Sequence, residues 1–348
     1  MSVARQIVAY AIKHDSSDIH LEEDSQIAIR VNSDIQLVDK ILGKNDMDQL
    51  LSELLDKEKL DQYNQTGDLD TSIGLDGLSR IRINAYIANE KRCLTLRILP
   101  DQLPKWQDLG LPKPFIELTT KHRGLVLCTG PTGSGKSTTL ASFINCILET
   151  QKRHILTIED PIEFEFNHSQ NSIIHQREVK RDTKSFTSAL KAALREDPDI
   201  IYIGEMRDLE TIQLAITAAE TGHLVLGTLH TSSAAKTVER IVDVFPADQQ
   251  EQARLQVSTS LLGIMSQTLC KNNVGKRSLA YELLINTPAI SNLVRERKVS
   301  QIYSQLQTGS KDGMNTLEQC LKDLIDSNII SLEEGLSKAS NPKALINN

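Results

Sequence analysis

The sequence predicts an α/β protein in which a small N-terminal α+β domain precedes a larger domain built on a parallel sheet, and three observations carry that prediction. The first is Gly130-Pro131-Thr132-Gly133-Ser134-Gly135-Lys136-Ser137, which meets the phosphate-loop pattern G-x-x-x-x-G-K-[ST] at every fixed position. Average composition produces such a match by chance in about one chain in a hundred of this length. The second is the alternation of short apolar runs with helical spacing from Phe115 to about Leu284. The third is a proline-rich stretch, residues 100–114, separating that region from residues 1–99, where period-two alternation prevails. At 348 residues the chain can bury two separate cores.

Composition narrows the function classes. The chain is 39% apolar and 24% charged, as expected of a soluble globular protein. Its formal net charge of −7, from 39 basic and 46 acidic residues, argues against a dedicated nucleic-acid binder, since no basic tail offsets it. Cys93, Cys128, Cys146, Cys270 and Cys320 lie far apart without a C-x-x-C, which speaks against zinc frameworks and for free thiols in a reducing cytosol. No leader and no run near the length of a membrane span is visible, so membrane association is expected to run through a partner.

In the first domain, Ile7, Val8, Ala11 and Ile12 share one helical face, and Ser17–Leu21 alternates as a strand does. Ile27, Ile29 and Val31 repeat the alternation. Met47, Leu50, Leu51, Leu54, Leu55 and Leu60 predict one amphipathic helix from Asp46 to Tyr63, with Asp46 as its N-cap. Asp76-Gly77 signals a tight turn joining Thr71–Leu75 to Leu78–Tyr86. On the second of these strands Ile81 and Ile83 oppose Arg80, Arg82 and Asn84, and on the next Leu94, Leu96 and Ile98 oppose Thr95 and Arg97. Spacing alone reads these arginines as a solvated sheet face. A linker follows, marked by Pro100, Pro104, Gly110, Pro112 and Pro114, with the single Trp106 expected to plug an interdomain surface.

The second domain opens with Gly124–Thr129 as a buried strand, then the phosphate loop, then a helix from Ser137 to Glu149. Further strands are predicted at 154–158, 200–203 and 224–229, with helices at 185–195 and 211–221 between them. Helices are expected from Ala289 onward, with a polar frayed tail after Ser340. Ligands in open α/β sheets lie beyond the carboxyl ends of the strands. Glu159, Asp160, Glu163, Glu205 and His230 all fall there, as the loop does.

This arrangement points to nucleoside triphosphate hydrolysis. Without Cβ atoms at Gly133 and Gly135, backbone N–H groups close round a phosphate at a helix N-terminus. Lys136 would reach the β- and γ-phosphates, Ser137 would ligate Mg²⁺, and Thr138 continues the cradle. The usual metal-binding carboxylate of such proteins would stand at Gly204, leaving Glu205 as general base or water-positioner. Glu163 is a candidate for the metal or its hydration shell. Histidines bracket the last strand, and His230, at its carboxyl end, is favoured over His223 as a sensor of the γ-phosphate.

Four segments then carry a resemblance. Ile158–Phe164 resembles the Asp box of the secretion ATPase superfamily, and residues 194–208 resemble its atypical Walker B, where glycine precedes the glutamate. Residues 221–231 are similar to its His box, and the phosphate loop completes the set. Ser17–Leu21 and Ala289–Glu296 further resemble the PilT-like type IV pilus retraction ATPases. That resemblance implies a PAS-like N-terminal domain, a RecA-like P-loop ATPase domain with C-terminal helices, and a cytoplasmic homohexamer using ATP and Mg²⁺. It also implies docking on an inner-membrane platform protein of a type IV pilus machine, no nucleic acid, and Arg82 and Arg97 carried to the nucleotide. Within this resemblance, a type IVB secretion or pilus-assembly motor is the alternative. From another class, a DNA-dependent RecA-like ATPase or a nucleotide-gated scaffold stays open.

Overall fold

The computed structural model describes residues 2–31, 34–75, 77–99, 103 and 105–346. Contacts divide the chain into two compact units, Met1–Gln102 with Glu163–Glu165, and Leu103–Ile162 with Phe166–Asn348. Among the described residues no helix is long and apolar enough to cross a membrane.

The first unit begins with α1 (Val3–Lys13), capped by the Ser2 side chain accepting from the Arg5 N–H. It continues with β1 (Ser16–Glu22), β2 (Ser25–Val31), β3 (Asp34–Leu42), α2 (Lys44–Leu54), α3 (Lys57–Thr66), β4 (Asp68–Leu75), β5 (Ser79–Ala88) and β6 (Lys91–Leu99). The six strands form one sheet, order β3-β2-β1-β6-β5-β4, with every pairing antiparallel. Ile19, Leu21, Ile81, Ile83, Leu94 and Leu96 bury one face against Val8, Met47, Leu50 and Leu51 of the helices. The opposite face keeps the charged residues, as alternation demands.

The single helix expected from Asp46 to Tyr63 is two. Leu55 adopts extended geometry after α2, and the Asp56 side chain caps α3 by accepting from the Lys59 N–H. Asp46 is not the cap but the third residue of α2, where its carboxylate accepts from the Gly43 N–H at 3.1 Å. Strand β3 escaped the reading because it is an edge with Ile35, Leu37 and Ile41 all exposed, so no buried face imprints an alternation. The turn at Gly77 has φ +71, while Asp76, Pro100 and Pro104 lie outside the described residues.

The second unit runs α4 (Lys113–Ile116), β7 (Gly124–Thr129), α5 (Lys136–Thr150), β8 (His154–Glu159), β9 (Ile173–Glu178), α6 (Phe186–Ala193), β10 (Ile200–Ile203), α7 (Leu209–Thr221) and β11 (Leu224–Leu229). Then come α8 (Ala234–Asp243), α9 (Gln250–Ser260), β12 (Leu261–Lys271), β13 (Arg277–Ile285), α10 (Pro288–Arg295), α11 (Ile302–Thr308), α12 (Leu317–Asp326), α13 (Leu332–Lys338) and α14 (Lys343–Ile346). The sheet order is β13-β12-β7-β11-β10-β8-β9. It is parallel except at β12–β13, so the all-parallel expectation fails at one edge. There Leu261–Lys271 and Arg277–Ile285 are joined by a short turn too brief for a parallel crossover.

Strands β7, β10 and β11 are buried at every residue, with helices covering both faces. Trp106, half-buried, packs on the core of Phe115, Leu118, Phe143 and Ile147 within this unit. Pro112 caps the short α4 inside what reads as a structureless linker. The expected frayed tail carries a helical turn at Lys343–Ile346.

Candidate active site

The phosphate loop owes its shape to glycine. Gly130, Gly133 and Gly135 hold φ +143, +78 and +87, a region that side chains rarely enter. A Cβ on Gly130 would stand 2.3 Å from the Gln267 carbonyl oxygen, so the loop and β12 meet backbone to backbone there. At Gly133 nothing lies within 4 Å, and the loop is open on that side. Helix α5 starts at Lys136 directly after Gly135, leaving its first N–H groups aimed out of the loop.

Lys136 is 9% exposed, and its Nζ donates to the Gly130 and Pro131 carbonyls at 2.8 and 2.9 Å. The ammonium is thereby folded across the mouth of the cradle. Ser137 and Thr138 follow on the first turn of α5, both half-buried. Ser134 Oγ is buried and without a hydrogen-bond partner among the described residues. A cradle of left-handed glycines, a buried lysine and a half-buried serine at a helix N-terminus fits a polyphosphate with its metal ion. Beside Gly135, Thr138 and Thr139 opens a cavity of about 570 Å³, walled by Leu109, Leu269, Leu279 and Tyr281. It is mostly apolar and adjoins the phosphate cradle, as a nucleoside requires.

Glu205 follows β10 and is four-fifths covered. Its carboxylate pairs with Arg207, two residues on, and with His230 Nε2 at 3.1 Å, just past the end of β11. Burial pushes the Glu205 carboxyl up, but the Arg207 and His230 contacts outweigh it and hold the group below its ordinary value. The pairing favours the carboxylate form, which can accept hydrogen bonds and orient a donor such as water. The sheet register explains the meeting, because Ile203 pairs with Gly227 and places the two strand ends side by side. The Met206 N–H donates to Thr228 O at 3.0 Å and fixes the loop between them.

The other sequence-predicted residues separate into distinct places. His223 lies at the amino end of β11, its Nδ1 within 3.0 Å of Ala218 O, where it closes the end of α7 and not the site. Glu159 is buried and accepts from Thr157 Oγ1 and Gln176 Nε2 at 2.7 and 3.1 Å, a structural assignment. Asp160 lies next to Arg207, whose charge it supports. Glu163 is half-buried in the loop after β8 and clusters with the first unit through Glu163–Glu165.

Arg82 and Arg97 lie directly opposite each other in the β5–β6 register. Like charges so placed need partners, and each has one. Arg82 Nε donates to Asp70 Oδ1 at 3.0 Å, and Arg97 Nε to Asp18 Oδ1 at 2.8 Å. Burial pushes the Asp18 carboxyl up, but the Arg97 and Ser17 contacts outweigh it and hold it below its ordinary value. Both arginines thus carry a carboxylate partner while staying partly open to solvent.

Two residues of the site were missed. Arg207 could have been noticed as a cation two positions after a candidate base. Gln267, 3% exposed, contacts the phosphate loop from β12. Its signal is the polar run Ser266-Gln267-Thr268 interrupting the apolar stretch of the strand.

Comparison with known proteins bears on this geometry. Residues 1–334 match the family model described as type II/IV secretion system protein. The chain is 46% identical over 339 residues to the Pseudomonas aeruginosa protein named "Type IV pilus retractation ATPase PilT", covering 97% of this chain and 98% of that one. It is 46% identical over 319 residues to a Neisseria gonorrhoeae "Twitching motility protein", covering 91% of this chain and 85% of that one. It is also similar to the crystal structure of the pilus retraction motor PilT with bound ADP, with a TM-score of 0.92 and 45% identity over 100% of both chains.

Proposed function

The chain belongs to the type II/IV secretion system protein family, and on that premise we propose that it is a motor ATPase that hydrolyses ATP to withdraw subunits from a type IV pilus. The observation that carries the reading is the convergence of a complete phosphate loop, Glu205 and His230 at the ends of β7, β10 and β11.

The residues divide the work as follows. The loop N–H groups between Gly130 and Ser137 and the start of α5 hold the β- and γ-phosphates. Lys136 exchanges its two carbonyl partners for phosphate oxygens, which gives it a binding role without a core role. Glu205 orients the attacking water and takes its proton, while His230 reads the γ-phosphate through the hydrogen bond it shares with Glu205. Ser137 and Glu163 would hold Mg²⁺ or its hydration shell, and the ion supplies charge neutralisation on the transferring phosphoryl. Arg82 and Arg97 deliver further cations to the same phosphates. They stand on the first unit and the phosphate loop on the second. The working assembly is a homohexamer in the cytoplasm, held at the inner membrane by a platform protein.

The test is steady-state ATP hydrolysis by the purified chain and by Lys136→Ala. Wild type hydrolyses ATP without stimulation by DNA, and the variant folds but is inactive. Near-normal turnover in Lys136→Ala overturns the assignment, and DNA-dependent turnover moves the chain to another class. Deletion of the gene then gives direction: pili accumulate if the motor retracts, and vanish if it assembles.

A further inference from the structure

Gln267 lies one position past Ser266↔Thr129, the last pair joining β12 to β7, so β12 runs on beside the phosphate loop after the sheet pairing ends. Its amide makes three contacts there. The Nε2–H donates to the Ser134 carbonyl at 2.6 Å. The Oε1 accepts from the Thr139 hydroxyl and from the Cys128 thiol, each at 3.0 Å. These partners belong to the strand before the loop, the loop itself and the first turn of α5. Burial raises the Cys128 thiol well above its ordinary range, so it stays protonated as the donor this contact needs. The backbone approaches from the same side, since a Cβ on Gly135 would lie 3.2 Å from Gln267 Nε2.

We infer that Gln267 is a positioning residue that aims the Gly135 N–H at the nucleotide phosphates by pinning the Ser134 carbonyl. The reason is the geometry of the peptide bond. In a planar trans peptide the C=O and the following N–H point in opposite directions, so fixing one fixes the other. Gly135 can rotate about φ more freely than any other residue, and its φ of +87 has no side chain to hold it. An external restraint on this peptide is therefore what keeps the cradle formed before phosphate arrives. Pre-set donors of this kind bind and stabilise developing charge without reorganising.

The inference rests on the ATPase reading, and one set of titrations separates the two. Wild-type binding of ADP, measured by calorimetry, tests the reading itself. Gln267→Met keeps side-chain length and loses all three polar contacts. Its ADP affinity and its kcat/KM for ATP should fall about tenfold or more, as expected for losing a buried hydrogen bond that orients a second one. Gln267 also lines the cavity beside Gly135, so affinity for adenosine, which has no phosphate to meet the Gly135 N–H, should fall too but by clearly less than that for ADP. Equal losses for ADP and adenosine, or no loss for ADP, overturn the inference. Should Gln267→Met not fold, Gln267→Glu decides, because a protonated carboxyl can still donate to the Ser134 carbonyl and an ionised one repels it. ADP binding to that variant should recover towards wild type as pH falls from about 8 to about 6. A pH dependence parallel to wild type refutes the proposal.

Discussion

Removing the charge of Glu282 should stabilise the protein at alkaline pH and change little in mild acid. Glu282 lies on β13, 6% exposed, and its Oε1 accepts from the Ala234 N–H at the start of α8 at 2.7 Å. Burial raises its carboxyl to about 7 from 4.5, the Ala234 N–H opposes the rise, and the neighbouring Glu318 adds to it. Glu318 is itself 5% exposed and takes bonds from Tyr303 OH and the Asn341 N–H at 3.2 and 2.9 Å. A carboxyl raised on folding binds its proton more tightly in the native state. The stabilisation from that proton is complete below about 4.5 and is lost as pH rises through about 7. At about 1.4 kcal/mol for each pKa unit, the loss reaches about 3 kcal/mol at pH 8. Glu282→Gln keeps an acceptor for Ala234 and cannot ionise. Its stability advantage over wild type should widen by about 2.5 kcal/mol between pH 5 and pH 8. Urea denaturation read by hydrogen exchange of β12 and β13 amides measures that gap. A gap that does not change with pH, or a variant less stable than wild type at pH 8, refutes the reasoning.

Glu205→Gln should bind ATP yet hydrolyse it about 10²- to 10⁴-fold more slowly, since an amide cannot take a proton. If Glu163→Gln gives that phenotype and Glu205→Gln stays active in single-turnover assays, the roles are reversed. Arg82→Ala and Arg97→Ala should lose hydrolysis far more than ATP binding, with Arg→Lys restoring only part of it because an ammonium lacks the planar fork. Arg97→Ala should also lower stability, by about 1 kcal/mol, because it strips the partner from the buried Asp18. Arg82→Ala, whose partner Asp70 is more exposed, should be nearly neutral in thermal melts. Wild-type turnover in both would reduce the arginines to sheet ion pairs.

The phosphate loop was legible because its chemistry is local. Three glycines, a lysine and a serine within eight positions impose the turn and the helix start wherever the rest of the chain goes. The strands at 124–129, 200–203 and 224–229 were equally plain, since burial on both faces leaves continuous apolar runs. From those runs, the rule that sites gather at strand ends was enough to nominate Glu205 and His230. Their direct contact was not readable, because it depends on β10 and β11 being neighbours in register. Elements with no distinct buried face also escaped. Edge strand β3 exposes its apolar residues, and the break between α2 and α3 keeps the apolar spacing of one helix across a cap.

By itself, then, the sequence determined what depends on neighbours along the chain: the loop, the helix starts, the strands of the core and the carboxylate at a strand end. Tertiary structure alone decided which of these meet. It paired Arg82 with Asp70 and Arg97 with Asp18 across strands, set Glu282 under α8, and brought Gln267 to the Ser134 carbonyl across 133 positions. Such contacts leave only a buried polar residue in the sequence, because a hydrogen bond is satisfied by whichever partner the fold brings within about 3 Å, and spacing along the chain does not name it.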